Sequence, residues 1–208
     1  MLKYIMLCYY AHMKKIVLAS ASPRRKELMS LITSDYVVIT ADVDERAIED
    51  GLKGEHPLEV AKELARAKAK AVFESLDSQR QAEVAVIGAD TSVIIDDKIL
   101  GKPSSKDDAR EMLTSLSGRT HSVVTGVAVI TSEGENVFAE ESIVEFSPLD
   151  DYQKNLIERY INTNEPYDKA GAYGIQEGGA LLVKSVSGDY FNVVGLPVMR
   201  LSRELSCL

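Results

Sequence analysis

The stretch "KKIVLASASPRRKELMSLI", residues 14–32, decides the fold. Its first part, "KKIVLAS" (14–20), is apolar and β-branched and reads as a short buried strand. Ser22 suits a helix N-cap and Pro23 the first helical position, so a helix is predicted over 23–32, with Leu28, Leu31 and Ile32 on one face. A strand that runs through a tight turn into a helix is the unit of an α/β sheet. Arg24 and Arg25 do not suit this reading, because the first turn of a helix carries partial positive charge and favours Asp or Glu. Two explanations are open. The arginines are surface cations whose mismatch costs a few tenths of a kcal/mol, roughly. Alternatively, an anion binds there, and backbone N–H groups, the Ser20 and Ser22 hydroxyls and both guanidiniums converge on phosphate oxygens. The position also fits the second, since α/β sheets bind ligands at the carboxyl ends of their strands.

Helices and strands alternate outward from this unit. A strand is predicted at 36–40, then an acidic loop, "ADVDERAIEDG", with Gly51 and Gly54 as turn residues. Pro57 opens a long helix (57–76), with Val60, Leu64, Ala67, Ala71 and Val72 at helical spacing. Residues 83–96 read as strand with a break at Gly88–Ala89–Asp90, followed by a short strand and turn at 98–103 and a helix at 105–118. The runs 120–131 and 136–146 flank "SEGE" and read as a hairpin. A helix (150–161), an irregular Gly-rich segment (167–180), a strand (181–188) and a turn with a helix (192–205) complete the chain. The pattern predicts an α/β fold with a mixed sheet flanked by helices, as one domain over residues 13–208. Residues 1–12 are apolar but far short of the ~20 that span a bilayer, and they have no signal-peptide cleavage site. With Met13 following directly, they are expected to be an extension from an upstream start rather than part of the fold.

Composition excludes several classes. Of 208 residues, 45% are hydrophobic and 27% charged, as in an ordinary folded, soluble protein. A net charge of −8 makes the chain a poor ligand for nucleic acid or anionic membrane, so any basic site must be local. Cys8 and Cys207, the only cysteines, lie at opposite ends without metal spacing, which fits a reducing cytoplasm. HExxH, Walker A, GxGxxG and GxSxG patterns are all absent.

Several polar residues stand out against this background. Asp90 ends an apolar run, where a carboxylate caps a turn or works as a general base or Mg²⁺ ligand. Thr91 beside it adds a hydroxyl. Lys68 is four residues from both Leu64 and Val72, on the apolar side of its helix; either its head snorkels to water or it reaches into a site. Lys102 is a turn lysine or a point charge for phosphate, and Glu45 a solvated loop carboxylate or a metal ligand.

Taken in order, "LASASPRRKELM", "VDE" with Glu45, "ARAKA" with Lys68, "GADT" with Asp90, "LGKP" with Lys102, "LSGRTHSVVTGVAV", "DKAGAYGIQ" and "NVVGLP" resemble the Maf family of nucleoside triphosphate pyrophosphatases, from about Lys14 to the C-terminus. The resemblance implies an elongated, twisted mixed sheet similar to that of inosine triphosphate pyrophosphatases. It implies hydrolysis between the α and β phosphates with a divalent cation (Mg²⁺, Mn²⁺ or Co²⁺), Asp90 as proton acceptor, Glu45 and Asp90 as metal ligands, and a homodimer. Ser20, Ser22, Arg24, Arg25, Lys68 and Lys102 would bind the substrate. Arg24, Thr91 and Gln176 match positions tied to base choice, and "GADT" with "GIQ" resembles the dTTP/UTP branch rather than the 7-methyl-GTP branch. Glu177 departs from the pattern, where a Gly often follows the Gln. A non-enzymatic role in septum formation is the alternative from a different class.

Overall fold

A computed structural model describes residues 14–208; the expectation for residues 1–12 lies outside the described residues. Strand β1 (Lys15–Leu18) passes through Ser22 into helix α1 (Pro23–Ile32), as predicted. The Ser22 hydroxyl accepts from the Arg25 backbone N–H at 3.5 Å, and Pro23 occupies the first turn, where its missing N–H costs nothing. The buried face of α1 carries Leu28 and Met29, whereas Leu31 points to solvent. This face is rotated from the predicted one because α1 packs against the C-terminal helix as well as the sheet.

The remaining elements are β2 (Tyr36–Val38), α2 (Glu45–Gly51), α3 (Pro57–Glu74), α4 (Ser78–Glu83), β3 (Val84–Ile95), β4 (Lys98–Leu100), α5 (Lys106–Leu116), β5 (Thr120–Thr131), β6 (Gly134–Phe146), α6 (Asp151–Tyr160), β7 (Val183–Ser187), α7 (Tyr190–Val194) and α8 (Val198–Leu205). Two expectations are corrected. The acidic stretch is not all loop, because Asp44 caps α2 by accepting from the Ala47 N–H at 3.0 Å, and Glu45 is the first helical residue. Nor does Gly88–Ala89–Asp90 interrupt the strand. β3 runs unbroken for 12 residues, and Asp90 lies in its middle. Gly88 is small for a different reason, the close approach of α3.

The strands form one mixed sheet in the order β2-β1-β3-β5-β6-β7, with β4 on β3. β1 pairs in parallel with β2 and β3; the other pairings are antiparallel. Asp96 and Asp97, with φ of 51° and 58°, make the two-residue turn between β3 and β4, whose backbone twist suits a tight hairpin. Alternation along β3 sends Val84 and Val86 to α3, and Ala85, Ile87 and Ala89 to α1, α7 and α8. A further cluster, around Leu113, Phe146, Ile157 and Leu182, fills the space under α5 and α6. No helix among the described residues is long and apolar enough to cross a membrane.

Helix α3 lies close to the sheet because both surfaces are stripped of bulk. Its buried positions are Val60, Ala61, Leu64, Ala65, Ala69 and Val72, a face shifted toward Ala61, Ala65 and Ala69 from the predicted one. Opposite them stand Gly88 and Gly126. A Cβ at Gly88 would lie 2.2 Å from the Ala65 carbonyl oxygen, and one at Gly126 would lie 2.2 Å from that of Ala61. Gly126→Ala must therefore push α3 off the sheet. It is expected to destabilise the fold by about 2 kcal/mol or more, read as a lower urea midpoint. An unchanged midpoint would refute the close-approach account.

His121 is buried between Phe146 and Tyr173, with Nε2 2.7 Å from the Tyr173 hydroxyl. Burial lowers its pKa from 6.5 to about 4. The unfolded chain therefore takes up a proton that the folded chain refuses between those values, and stability is lost as pH falls through that window. Between pH 7 and pH 5 this contributes about 2 kcal/mol. Denaturation curves at the two pH values are expected to show a shallower loss in His121→Gln than in the wild type; equal losses would count against it.

Candidate active site

β1 ends where β3 has eight residues still to run. Leu18 is the last residue of β1 in register, opposite Ile87, and β4 begins its pairing only at Val93. Between those points one edge of β3 has no strand beside it, while the other edge stays paired with β5 through Ile94. The notch opens into a cleft of about 850 Å³. Because side chains alternate across a strand, neighbouring residues in the notch serve opposite faces of the sheet. All ten residues singled out from the sequence border this one cleft.

Asp90 serves the α3 side and is 9% exposed. The Lys68 ammonium donates to its Oδ1 at 2.7 Å and lies 3.0 Å from Oε1 of Glu45. Three elements thus meet at one charge: α3 supplies the lysine, β3 one carboxylate and α2 the other. Lys68 does reach inward from the apolar side of its helix, and the close seating of α3 on the sheet sets that reach. Its neighbours divide by face, with Arg66 paired to Glu135 and Lys70 to Glu74 at the surface. Glu49, one turn beyond Glu45, also borders the cleft. Burial, with the charges of Asp90 and Glu45, raises its pKa. Reading 41–51 as loop hid Glu49; the Asp44 cap was the signal that places Glu45 and Glu49 on one helical face.

Thr91 serves the opposite face. Arg25 donates to its hydroxyl from Nη2 at 2.9 Å, and from Nε to the Gly195 carbonyl at 2.9 Å. Nη1 reaches the Ser20 hydroxyl at 3.5 Å. Burial lowers the Arg25 pKa, with the Asp90 charge opposing that shift. The Thr91 hydroxyl also meets that of Thr125 at 3.0 Å, and Thr125 donates to the carbonyl oxygen of the buried Asn192. Arg25 and Thr91 are thus one hydrogen-bonded unit rather than two independent groups. Sequence reasoning missed Thr125 and Asn192, whose roles exist only through pairing across β3, β5 and α7.

The far wall comes from the loop after β4 and the Gly-rich segment. Gly171 N–H donates to the Gly101 carbonyl at 3.0 Å, which ties the Lys102 turn to that segment. Lys102 is exposed on the cleft rim. Gln176 also borders the cleft. Glu177 has φ 59°, the left-handed region that favours glycine, and its side chain is exposed outside the cleft lining. Its departure from the family pattern is therefore a backbone matter, not a change in the cleft wall. Arg24 crosses the cleft to Asp168, Nη1 to Oδ2 at 3.2 Å.

No group of three or more His, Cys, Asp and Glu converges as a metal cage among the described residues. Glu45 and Asp90 nevertheless offer hard oxygens around one point, which the Lys68 ammonium already marks as a place for positive charge. Two carboxylates suit a cation such as Mg²⁺, which keeps waters and takes the rest of its ligands from phosphate.

Residues 15–208 match the family model described as Maf-like protein. Curated relatives include a dTTP/UTP pyrophosphatase of Symbiobacterium thermophilum, 45% identical over 93% of this chain and 94% of its own. Others of the same name are from Bacillus cytotoxicus, 46% identical over 93% of this chain and 95% of its own, and Geobacillus sp. strain WCH70, 44% identical over 94% and 99%. With a family match over nearly the whole described chain, and relatives this similar over more than nine-tenths of it, the chain belongs to the Maf-like protein family.

Proposed function

We propose that this chain is a dTTP/UTP pyrophosphatase, which releases the nucleoside monophosphate and pyrophosphate at the Asp90 cleft. The observation that carries the reading is the Glu45–Lys68–Asp90 cluster, set in one cleft with Arg24, Arg25 and Lys102. The relatives named dTTP/UTP pyrophosphatase support the substrate class.

Hydrolysis at the α phosphorus needs charge neutralised along three phosphates and a water activated in line. In this reading Lys68 and Lys102 meet phosphate oxygens, Arg24 offsets phosphate charge and takes part in base choice from the cleft that Gln176 also borders, and the half-buried Arg25 supplies a fixed charge and holds Thr91 in place. Asp90 accepts the proton of the attacking water. The water oxygen bonds to the α phosphorus, the bond to the bridging oxygen breaks, and pyrophosphate leaves with that electron pair. Glu45 and Asp90 would hold a divalent cation (Mg²⁺, Mn²⁺ or Co²⁺), which would offset the phosphate charge. Gln176 has a donor and an acceptor for the O4 and N3–H edge of thymine or uracil, and mismatched bases would leave those groups unpaired. The reading includes a cytoplasmic homodimer.

Pyrophosphate release from a panel of nucleotides with Mg²⁺ or Mn²⁺ tests the class and the branch together. dTTP and UTP are expected to lead in kcat/KM; no turnover of either by folded protein, or a preference for 7-methyl-GTP, would overturn the assignment. Asp90→Asn is expected to lower kcat by about 10²–10⁴-fold while UTP binding persists. Full activity in that variant would remove Asp90 from the role of base.

A further inference from the structure

Arg24 sits in the first turn of α1, where the helix dipole opposes it, and that turn contains no acidic residue. Its counter-charge comes from Asp168, 144 residues away. An exposed ion pair alone holds little free energy and little orientation, but Asp168 is itself clamped. Its Oδ1 accepts from the Lys169 ammonium at 2.8 Å while Oδ2 meets Arg24. Lys169 is 8% exposed, and its Nζ also donates to the Glu165 carbonyl at 2.6 Å. Room for the lysine stem comes from Gly174, where a Cβ would lie 2.7 Å from Lys169 Cε. Gly174 N–H donates in turn to the Tyr160 hydroxyl at 3.2 Å, which pins this segment to α6. The chain from Asp168 to Gln176 therefore wraps a buried lysine and presents both residues to the same cleft. Burial alone would raise the Asp168 carboxyl; hydrogen bonds from Lys169 and then Arg24 outweigh it and hold it below its usual value, so it is charged at neutral pH.

We propose that Asp168 is a positioning residue for substrate selection: clamped by Lys169, it holds the Arg24 guanidinium at the cleft wall that Gln176 also borders. Nothing in the reaction passes through Asp168. It sets where a guanidinium waits before the nucleotide arrives, so its loss weakens binding and base choice more than turnover. The inference rests on the nucleotide-hydrolysing reading above and extends it.

Steady-state kinetics of Asp168→Ala, Asp168→Asn, Arg24→Ala and the Arg24→Ala/Asp168→Ala double variant, on UTP and 7-methyl-GTP, test it. The Asn variant keeps an oxygen for Lys169, which guards against a folding loss. Either Asp168 change is expected to raise KM for UTP about tenfold with kcat within about threefold, and to narrow the preference over 7-methyl-GTP. In the Arg24→Ala background, Asp168→Ala is expected to add nothing. Additive effects, an unchanged KM, or an equal fall in kcat on both nucleotides would overturn the proposal. If the wild type turns over neither nucleotide, the functional reading fails on its own. The positioning claim is then read by ¹⁵N NMR of arginine side chains in nucleotide-free protein. A sharp Arg24 signal that broadens in Asp168→Asn supports it, and an unaltered signal overturns it.

Discussion

Strand β3 is longer than the strand beside it, and the chemistry of the molecule follows from that mismatch. Between the end of β1 at Leu18 and the start of β4 pairing at Val93, one edge of β3 runs without a strand neighbour. On its other edge β5 holds it straight and in register, with Asp90 opposite Gly126 and Thr91 opposite Thr125. A rigid strand with one bare edge lets successive side chains reach opposite faces from a single point. Asp90 meets Lys68 on one side and Thr91 meets Arg25 on the other. The helix that carries Lys68 lies close only because Gly88 and Gly126 have no side chains beneath it.

This arrangement answers the question raised by two arginines at the positive end of a helix. Neither stands without a partner. Arg25 is half-buried and shares its donors among Gly195, Thr91 and Ser20, while Arg24 pairs with Asp168 across the cleft. Lys68 stands between two carboxylates. The positive groups are thus held in place by fixed partners before any substrate arrives, so little reorganisation is needed when phosphate charge enters. Lys102, on the rim, makes no ion pair with the described residues. The cleft therefore combines positioned charges inside with an exposed one at its mouth.

Much of this was legible along the chain. The α1 boundaries, the β5–β6 hairpin and the cap-to-Gly span of α5 follow from local rules that act within a few residues: capping, alternation and turn chemistry. Lys68 was legible in part: four residues from both Leu64 and Val72, it stood out on the apolar side of its helix, but whether its head reached water or a site was settled only by Asp90 and Glu45. Local rules failed where a residue answers to something distant in sequence. Gly88 read as a strand break, yet it is a contact point for α3. The acidic stretch read as loop, yet a single Asp44 cap starts α2 in a helix with no buried residue.

What the sequence by itself determined is the inventory: an α/β chain, a strand–helix unit with paired arginines, and an ordered set of acidic and basic residues matching one family. Each of those rests on short-range backbone preference or on residue identity. What only the tertiary structure decided is who meets whom. Asp168 and Arg24 are 144 residues apart, and Thr125 and Asn192 are 67 apart. No periodicity along a chain encodes such pairs, because they exist only after strand register and helix seating have closed the intervening loops. The same closure turned two mismatched arginines into one half-buried, hydrogen-bonded group and one clamped cation.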